Sequence, residues 1–143
     1  VLYDHPKNLF VASFIGSPSM NFFDCTFLEK GGKAFLDAGE FLYDVSELKD
    51  PIKEQSTSSE LILGVRPEYI SISKERVDKD TIEAEVDIIE PVGDRMIINL
   101  KIGQCLLKAN VRRLEVDMGK KVWIAFDKPN LHVIDKRTEK MII

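Results

Sequence analysis

The chain is poor in the side chains that most often carry enzyme chemistry or hold metal ions. Its 143 residues include two histidines, two cysteines and one tryptophan. His5 precedes a proline in a predicted turn and His132 lies on a predicted edge strand, so we interpret both as structural or solvated. Because no nucleophile, base or ligand set stands at a suggestive spacing, the sequence predicts no catalytic residue, cofactor or metal site in this chain.

The two cysteines allow two interpretations. Cys25 and Cys105 each sit among apolar residues in a strand-like context. We favour two buried, reduced thiols, because a free cysteine behaves as a small hydrophobic residue. A single disulfide is the alternative, and it would indicate an oxidising compartment. The sequence has no paired C-x-x-C spacing of the kind that binds zinc.

Long apolar runs and excess positive charge are also missing. No apolar run approaches the roughly 18 residues of a membrane span. The chain carries 24 acidic and 20 basic residues, a net charge of −4. It therefore lacks the basic stripe with which nucleic-acid-binding proteins displace counterions from phosphates, and we expect no nucleic-acid partner.

Short segments of alternating apolar and polar residues are abundant. Several such segments at short spacing predict a mostly β fold, an OB-like small barrel or sandwich of short antiparallel strands with a short N-terminal helix. A helical turn is expected within 45–55. The predicted strands cover residues 23–27, 34–37, 41–43, 61–65, 69–73, 82–89, 96–102, 105–111, 121–126 and 131–134.

Gly31, Gly32 and Lys33 predict a tight hairpin. Glycine tolerates the positive φ that such a turn requires. A phosphate-binding loop needs Ser or Thr after its lysine and then a helix, whereas Ala34 and a predicted strand follow here.

The segment 82–89 alternates apolar and acidic side chains, which is typical of a half-buried antiparallel strand. Solvent exposure explains the acidic side chains without a metal or acid–base role. The residues predicted to face inward are Ile82, Ala84, Val86 and Ile88, and those predicted to face outward are Glu83, Glu85 and Asp87.

The segment 63–70 places Arg66 and Glu68 on either side of a proline. One interpretation is a strand end with an exposed ion pair, worth about 1 kcal/mol or less. The other is that Arg66 or Glu68 holds a turn against another segment or another chain.

The segment 90–95 contains Gly93, Asp94 and Arg95 after a proline. It is either a tight turn or a contact surface at the rim of a barrel.

Trp123 alternates with Val122 and Ile124 in a predicted strand. It is therefore either an outward residue, which would mark a partner or ligand surface, or part of a second buried face.

The N-terminal segment 2–22 is the most specific part of the chain. Asn8 is a good N-cap, Phe10 and Phe14 lie four residues apart on one predicted helix face, and Gly16 ends the helix. We predict a short helix that joins the β domain to an upstream element.

These residues resemble a known family. Residues 2–22 match the pattern L-Y-x-x-P-x-N-x-F-V-A-x-F-I-G-S-P-x-M-N-F, which is similar to the junction segment in ATP-binding subunits of sugar-importing ABC transporters of the maltose and glycerol-3-phosphate type. Leu63–Glu68 resembles the L-G-[IV]-R-P-E motif of that family, and residues 85–94 are similar to its next strand and turn.

The resemblance implies a C-terminal regulatory domain of the transport-associated OB, or TOBE, type. Residues 1–16 would be the remnant of the junction to a missing ATPase domain, and 17–143 the β domain, with a boundary near 56–59 if it divides into two interleaved subdomains. The sequence contains no Walker A loop or L-S-G-G-Q signature, so ATP and Mg would bind in the missing domain.

We therefore expect a non-catalytic regulatory and dimerisation domain of a carbohydrate-importer ATP-binding subunit. The alternative is an OB-like domain that senses a sugar or an oxyanion through Arg66, Arg95 and Trp123. The implied partners are a second copy, the ATPase domain, through it the membrane-spanning subunits, and a regulatory protein, which places the chain at the cytoplasmic side of the membrane. The candidate interface residues are Phe10, Phe14, Met20, Asn21, Phe22, Arg66, Glu68, Gly93, Asp94, Arg95 and Trp123.

Overall fold

The computed structural model of the chain describes residues 20–77 and 80–143. The predicted N-terminal helix, together with His5, Phe10 and Phe14, lies outside these residues. Within them the chain is mostly β, as predicted, and it forms two antiparallel five-stranded sheets.

Sheet one contains the first four strands and the last one, in the order β10-β4-β1-β2-β3. A 3₁₀ turn (46–48) and the helix α1 (Lys49–Gln55) connect β3 to β4, in place of the single helical turn that was expected. The strands are β1 (Asn21–Lys30), β2 (Lys33–Asp37), β3 (Leu42–Asp44), β4 (Glu60–Val65) and β10 (His132–Asp135).

Sheet two contains the remaining strands in the order β5-β9-β6-β7-β8. Its two edge strands, β5 and β8, approach each other, and the short 3₁₀ turn 67–69 also lies against β8. The sheet therefore curls towards a barrel. The strands are β5 (Ile70–Ser73), β6 (Ile82–Val92), β7 (Arg95–Ile102), β8 (Cys105–Arg112) and β9 (Lys121–Phe126).

Both sheets contribute to one hydrophobic core. Several strands bury one face, as β7 does, whereas β4 is buried on both faces over residues 61–65. Leu36 and Leu63 of sheet one and Ile98 and Ile124 of sheet two are fully buried. A group of aromatic rings joins the two sheets. Phe126 of β9 lies 5.4 to 6.1 Å, between ring centroids, from three rings of sheet one: Phe23, Phe41 and Tyr43.

The hairpin predicted at Gly31 and Gly32 is confirmed. These residues connect β1 to β2 with φ values of 59° and 80°, which are left-handed at both central positions. A two-residue loop with both residues in the left-handed region matches the twist of the flanking strands, and glycine adopts this conformation without a steric penalty.

The alternation predicted for 82–89 is right at its start and wrong at its end. Ala84 and Val86 are buried, but Ile88 is 51% exposed. The register between β6 and β7 shifts between Val86 and Ile88, so that one extra residue, Asp87, is inserted. Such a β-bulge reverses the faces of the residues after it, which turns Ile88 outward.

Both cysteines are free thiols; Cys25 is buried and Cys105 half-buried. Burial raises the pKa of the Cys25 thiol to about 12. A thiol that stays protonated is a poor nucleophile and a poor metal ligand, so the structure favours the interpretation of Cys25 as a core residue.

The residues 56–59, where an internal boundary was expected, precede β4. Thr57 donates a hydrogen bond to the buried Asp135 (Oγ1 to Oδ2, 2.7 Å), and β4 pairs with β1 on one side and β10 on the other. The boundary itself stays a prediction.

Candidate functional site

The side-chain amide of Asn21 joins the two sheets. Its Nδ2 donates to the carbonyl oxygens of Lys108 (2.8 Å) and Val65 (3.1 Å), and its Oδ1 accepts from the backbone N–H of Lys108 (2.8 Å). The amide therefore satisfies both backbone groups that Lys108 presents at the edge of β8, as a neighbouring strand would. We call this contact the Asn21 link.

Met20 and Phe22, on either side of Asn21, lie over a glycine of β4. A Cβ atom placed on Gly64 would come within 2.7 Å of the Met20 sulfur and 3.5 Å of the Phe22 ring. Met20 itself is 4% exposed. A side chain at position 64 would therefore require the buried Met20 side chain to move.

The turn after β4 carries the chain from sheet one to sheet two. Pro67 is buried and begins the 3₁₀ turn, Arg66 is half-buried, and Glu68 is exposed. The turn is held by backbone hydrogen bonds, from Tyr69 N–H to Arg66 C=O (3.0 Å) and from Asp127 N–H to Tyr69 C=O (2.9 Å). A role for Arg66 or Glu68 in contacting another chain stays a prediction.

A cleft of about 500 Å³ opens beside the Asn21 link. Met20, Asn21 and Phe22 line one side of it, and Leu106 of β8 lines the other. Leu106 is 69% exposed. Ile88 of β6 is also exposed, but Asn99 and Lys101 of β7 lie between it and Leu106.

The segment around Gly93 is the tight turn between β6 and β7. Gly93 has a φ of 66°, and Asp94 is exposed. The Arg95 guanidinium donates to the side-chain oxygen (2.6 Å) and the carbonyl oxygen (2.8 Å) of Asn110 on β8. The turn geometry is established; a further role as a contact surface stays a prediction.

Trp123 is half-buried and faces away from the core, since Val122 and Ile124 on either side of it are buried. It pairs across the sheet with Glu83 of β6, whereas Arg95 pairs with Val92 of the same strand. Nine residues separate Glu83 from Val92, which is roughly 30 Å of strand. The structure therefore does not bring Trp123 and Arg95 to one small ligand.

His132 lies on β10, an edge strand of sheet one, as predicted. Its Nδ1 is 3.0 Å from the Ile143 carbonyl oxygen, a structural contact with the C-terminal residues. Within 20–77 and 80–143, no three histidine, cysteine or acidic side chains are arranged to hold a metal ion. In the same ranges, no helix is long and apolar enough to cross a membrane.

A second cleft, of about 430 Å³, lies between the β2–β3 edge of sheet one and the end of β9. It is lined by Lys33, Tyr43, Phe126 and Lys128, among others. None of these residues is a predicted site residue, and Lys33 is predicted only as part of a hairpin. No local motif could have indicated this cleft, because its residues come from separate strands.

The two antiparallel sheets, the second curled towards a barrel, define an OB-type β domain. Two family models match the chain: the MalK OB fold domain over residues 16–70 and the TOBE domain over 63–134. The chain belongs to this family of TOBE domains with an OB fold of the MalK type.

Several similar proteins are ATP-binding proteins of importers. The chain is 36% identical to the trehalose/maltose import ATP-binding protein MalK of Thermococcus litoralis and 37% identical to the multiple sugar-binding transport ATP-binding protein MsmK of Streptococcus mutans. It is 32% identical to the sn-glycerol-3-phosphate import ATP-binding protein UgpC of Psychromonas ingrahamii. Each match covers 99% of this chain, but only 37–39% of the relative.

Among solved structures, the cytoplasmic molybdate-binding protein ModG has a similar fold. The TM-score is 0.57 at 13% identity, and the match covers 79% of this chain and 94% of that one. At this identity the likeness concerns the fold alone.

Proposed function

We propose that the chain is the non-catalytic regulatory and dimerisation domain of an ATP-binding subunit of a carbohydrate importer, of the maltose, oligosaccharide or glycerol-3-phosphate class. One observation carries the proposal: nearly the whole chain aligns with such subunits while spanning about two-fifths of their length. The aligned part consists of OB and TOBE elements. ATP and Mg would bind in the remainder of the subunit.

The proposed role implies several partners. They are a second copy of this chain, the ATPase domain of the subunit and, through that domain, the membrane-spanning transporter subunits; a regulatory protein is a further partner. The domain would lie in the cytoplasm, peripheral to the inner face of the membrane.

The surface proposed for the second copy is the outward face of β6 and β8. Ile88 and Leu106 are 51% and 69% exposed on the two strands that flank β7. Exposed apolar side chains gain stability when another surface covers them, because their apolar area leaves water.

Sedimentation equilibrium and ATPase assays on the chain test the proposal. We expect a reversible dimer at micromolar concentration and no ATP turnover. Steady ATP hydrolysis by the chain would refute the non-catalytic role, and a monomer at every attainable concentration would refute dimerisation through this domain.

A matched pair of variants locates the interface. Leu106→Asp should weaken dimerisation at least tenfold, since it places a charge in the proposed contact. Met118→Asp is the control, because Met118 is 66% exposed but lies in the loop between β8 and β9. Equal weakening by both variants would mean that the face of β6 and β8 is not the interface.

A sensor of sugars or oxyanions is the second candidate function. The 430 Å³ cleft is the observation that favours it. The residues first considered for such a role, Arg66, Arg95 and Trp123, do not line this cleft.

A further inference from the structure

The 430 Å³ cleft, which we call the Tyr43 cleft, has a size and position that suit a small ligand. Its volume falls within the roughly 300–1,000 Å³ that small-molecule sites occupy. It lies where two sheets meet, between β3 and β9, so neither sheet fills it alone.

The inner wall of the cleft is aromatic and fixed by the core. The rings of Tyr43 and Phe126 are 5.4 Å apart, and Phe126 packs in turn against Phe23 at 6.1 Å. Because these rings belong to the group that joins the two sheets, the wall is formed before any ligand arrives. Preformed walls lower the ordering cost of binding.

The polar groups of the cleft carry balanced charge. Two ammonium groups, of Lys33 and Lys128, line it together with two carboxylates, of Asp44 and Asp80. Lys128 Nζ lies 5.4 Å above the Tyr43 ring and 3.8 Å from the Glu47 carboxylate. The Lys128 ammonium group therefore already has an acidic neighbour.

The titration behaviour agrees with this arrangement. Hydrogen bonds with Ser46 hold the pKa of the Asp44 carboxyl below its usual range, and the ammonium groups of Lys128 and Lys33 lower it further. Burial raises the pKa of the Tyr43 phenol, which therefore keeps its proton. At neutral pH the Asp44 carboxyl is therefore ionised and the Tyr43 phenol is neutral.

Charge balance decides which ligand class the cleft prefers. An oxyanion would gain from the two lysines but would be repelled by the carboxylates of Asp44 and Asp80. A hydroxyl group both donates and accepts, so it can bond to a carboxylate and an ammonium group at once. Tyr43 and Phe126 are 7% and 8% exposed, so the polar groups would supply most of the contact with a sugar.

We propose that the Tyr43 cleft binds a neutral sugar of one or two rings, with Lys128 and Asp44 hydrogen-bonded to its hydroxyl groups. The inference deepens the sensor candidate by assigning it a site and a ligand class. It is independent of the dimerisation role, which sedimentation tests separately.

Titration of the isotope-labelled chain, followed by NMR, tests the proposal. The probes are glucose, maltose and trehalose, with sulfate and glycerol-3-phosphate as anionic comparisons. We expect saturable shifts of the Tyr43, Phe126 and Lys128 amides with at least one neutral sugar, and weaker effects with the anions at matched ionic strength. Absence of saturable shifts at these amides up to tens of millimolar sugar refutes the site, and tighter binding of either anion refutes the ligand class.

A pair of lysine variants provides the control. Lys128→Met keeps the apolar stem and removes the ammonium group, so sugar affinity should fall about tenfold, the usual loss for one charge-assisted hydrogen bond. Lys121→Met changes an exposed lysine at the other end of β9, paired with Glu83, and should leave the affinity unchanged. Thermal melts check that both variants are folded. An equal effect of the two variants would contradict a direct contact by Lys128.

Discussion

The Asn21 link and the Tyr43 cleft both lie where sheet one meets sheet two, but they use different chemistry. At the link, one neutral amide makes three short hydrogen bonds to backbone atoms and leaves the cleft beside it lined largely by apolar residues. At the Tyr43 cleft, long charged side chains surround an aromatic wall and none closes the gap. The sheets are therefore joined by backbone-directed hydrogen bonds at the link and by packed aromatic rings behind the Tyr43 cleft, and an open cleft remains beside each contact.

We expect the largest loss of stability from a variant that adds a side chain at Gly64, beneath Met20 and next to the Asn21 link. Gly64→Val places a branched side chain where even a Cβ atom meets Met20, so we expect a loss of about 2 kcal/mol in the free energy of unfolding, typical of overpacking. Urea denaturation measures the loss.

Combining Gly64→Val with Met20→Ala tests whether contact with Met20 causes the loss of stability. Removing the Met20 side chain makes room for valine, so the double variant should be more stable than the sum of the two single losses predicts. Strictly additive losses would show that contact with Met20 is not the cause.

A smaller effect is expected from removing the link itself. Asn21→Leu keeps the approximate volume but leaves the backbone groups of Lys108 without their partner, at a cost of about 1–2 kcal/mol, because water replaces part of the lost bonding. Hydrogen exchange should also become faster at the Lys108 amide. Asn99→Leu, which removes an exposed amide bonded to Glu90 (3.1 Å), is the control and should cost less than half as much.

We expect the smallest loss of stability from removing the Asp44 carboxylate, one of the charges of the Tyr43 cleft. The Asp44 carboxylate accepts from the Ser46 N–H at 2.8 Å, and its pKa is lowered in the folded state. A lowered pKa in the folded chain stabilises the fold above the unfolded value near 4, and this contribution is lost as pH falls through the folded pKa.

Asp44→Ala should therefore cost about 1 kcal/mol at neutral pH and progressively less in acid. Urea denaturation at a series of pH values measures both quantities. A cost that stays constant down to acid pH would show that the carboxylate charge contributes nothing.

The sequence pattern predicted strands such as β7 because they bury one face, and alternation records that burial directly. It predicted β4, which is buried on both faces, from its continuous apolar run. It predicted the Gly31–Gly32 turn because the required backbone conformation selects glycine. It could not predict the bulge at Asp87, since the same alternating letters fit a regular strand, and for this reason Ile88 was assigned to the wrong face.

The sequence predicted some residues of the candidate site but not others. Met20, Asn21 and Phe22 were singled out because they belong to a recognisable motif, but the motif did not reveal that Asn21 contacts Lys108, 87 positions later. The Tyr43 cleft has no sequence signal, because Lys33, Tyr43, Phe126 and Lys128 become neighbours only through the packing of the two sheets.

Asn21 also protects the protein from unwanted strand addition. An edge strand presents unpaired N–H and C=O groups that another polypeptide can extend, which is a route to aggregation. At Lys108 both groups are already occupied by a side chain of the same molecule. An incoming strand would have to displace this amide before it could begin to pair in the middle of β8.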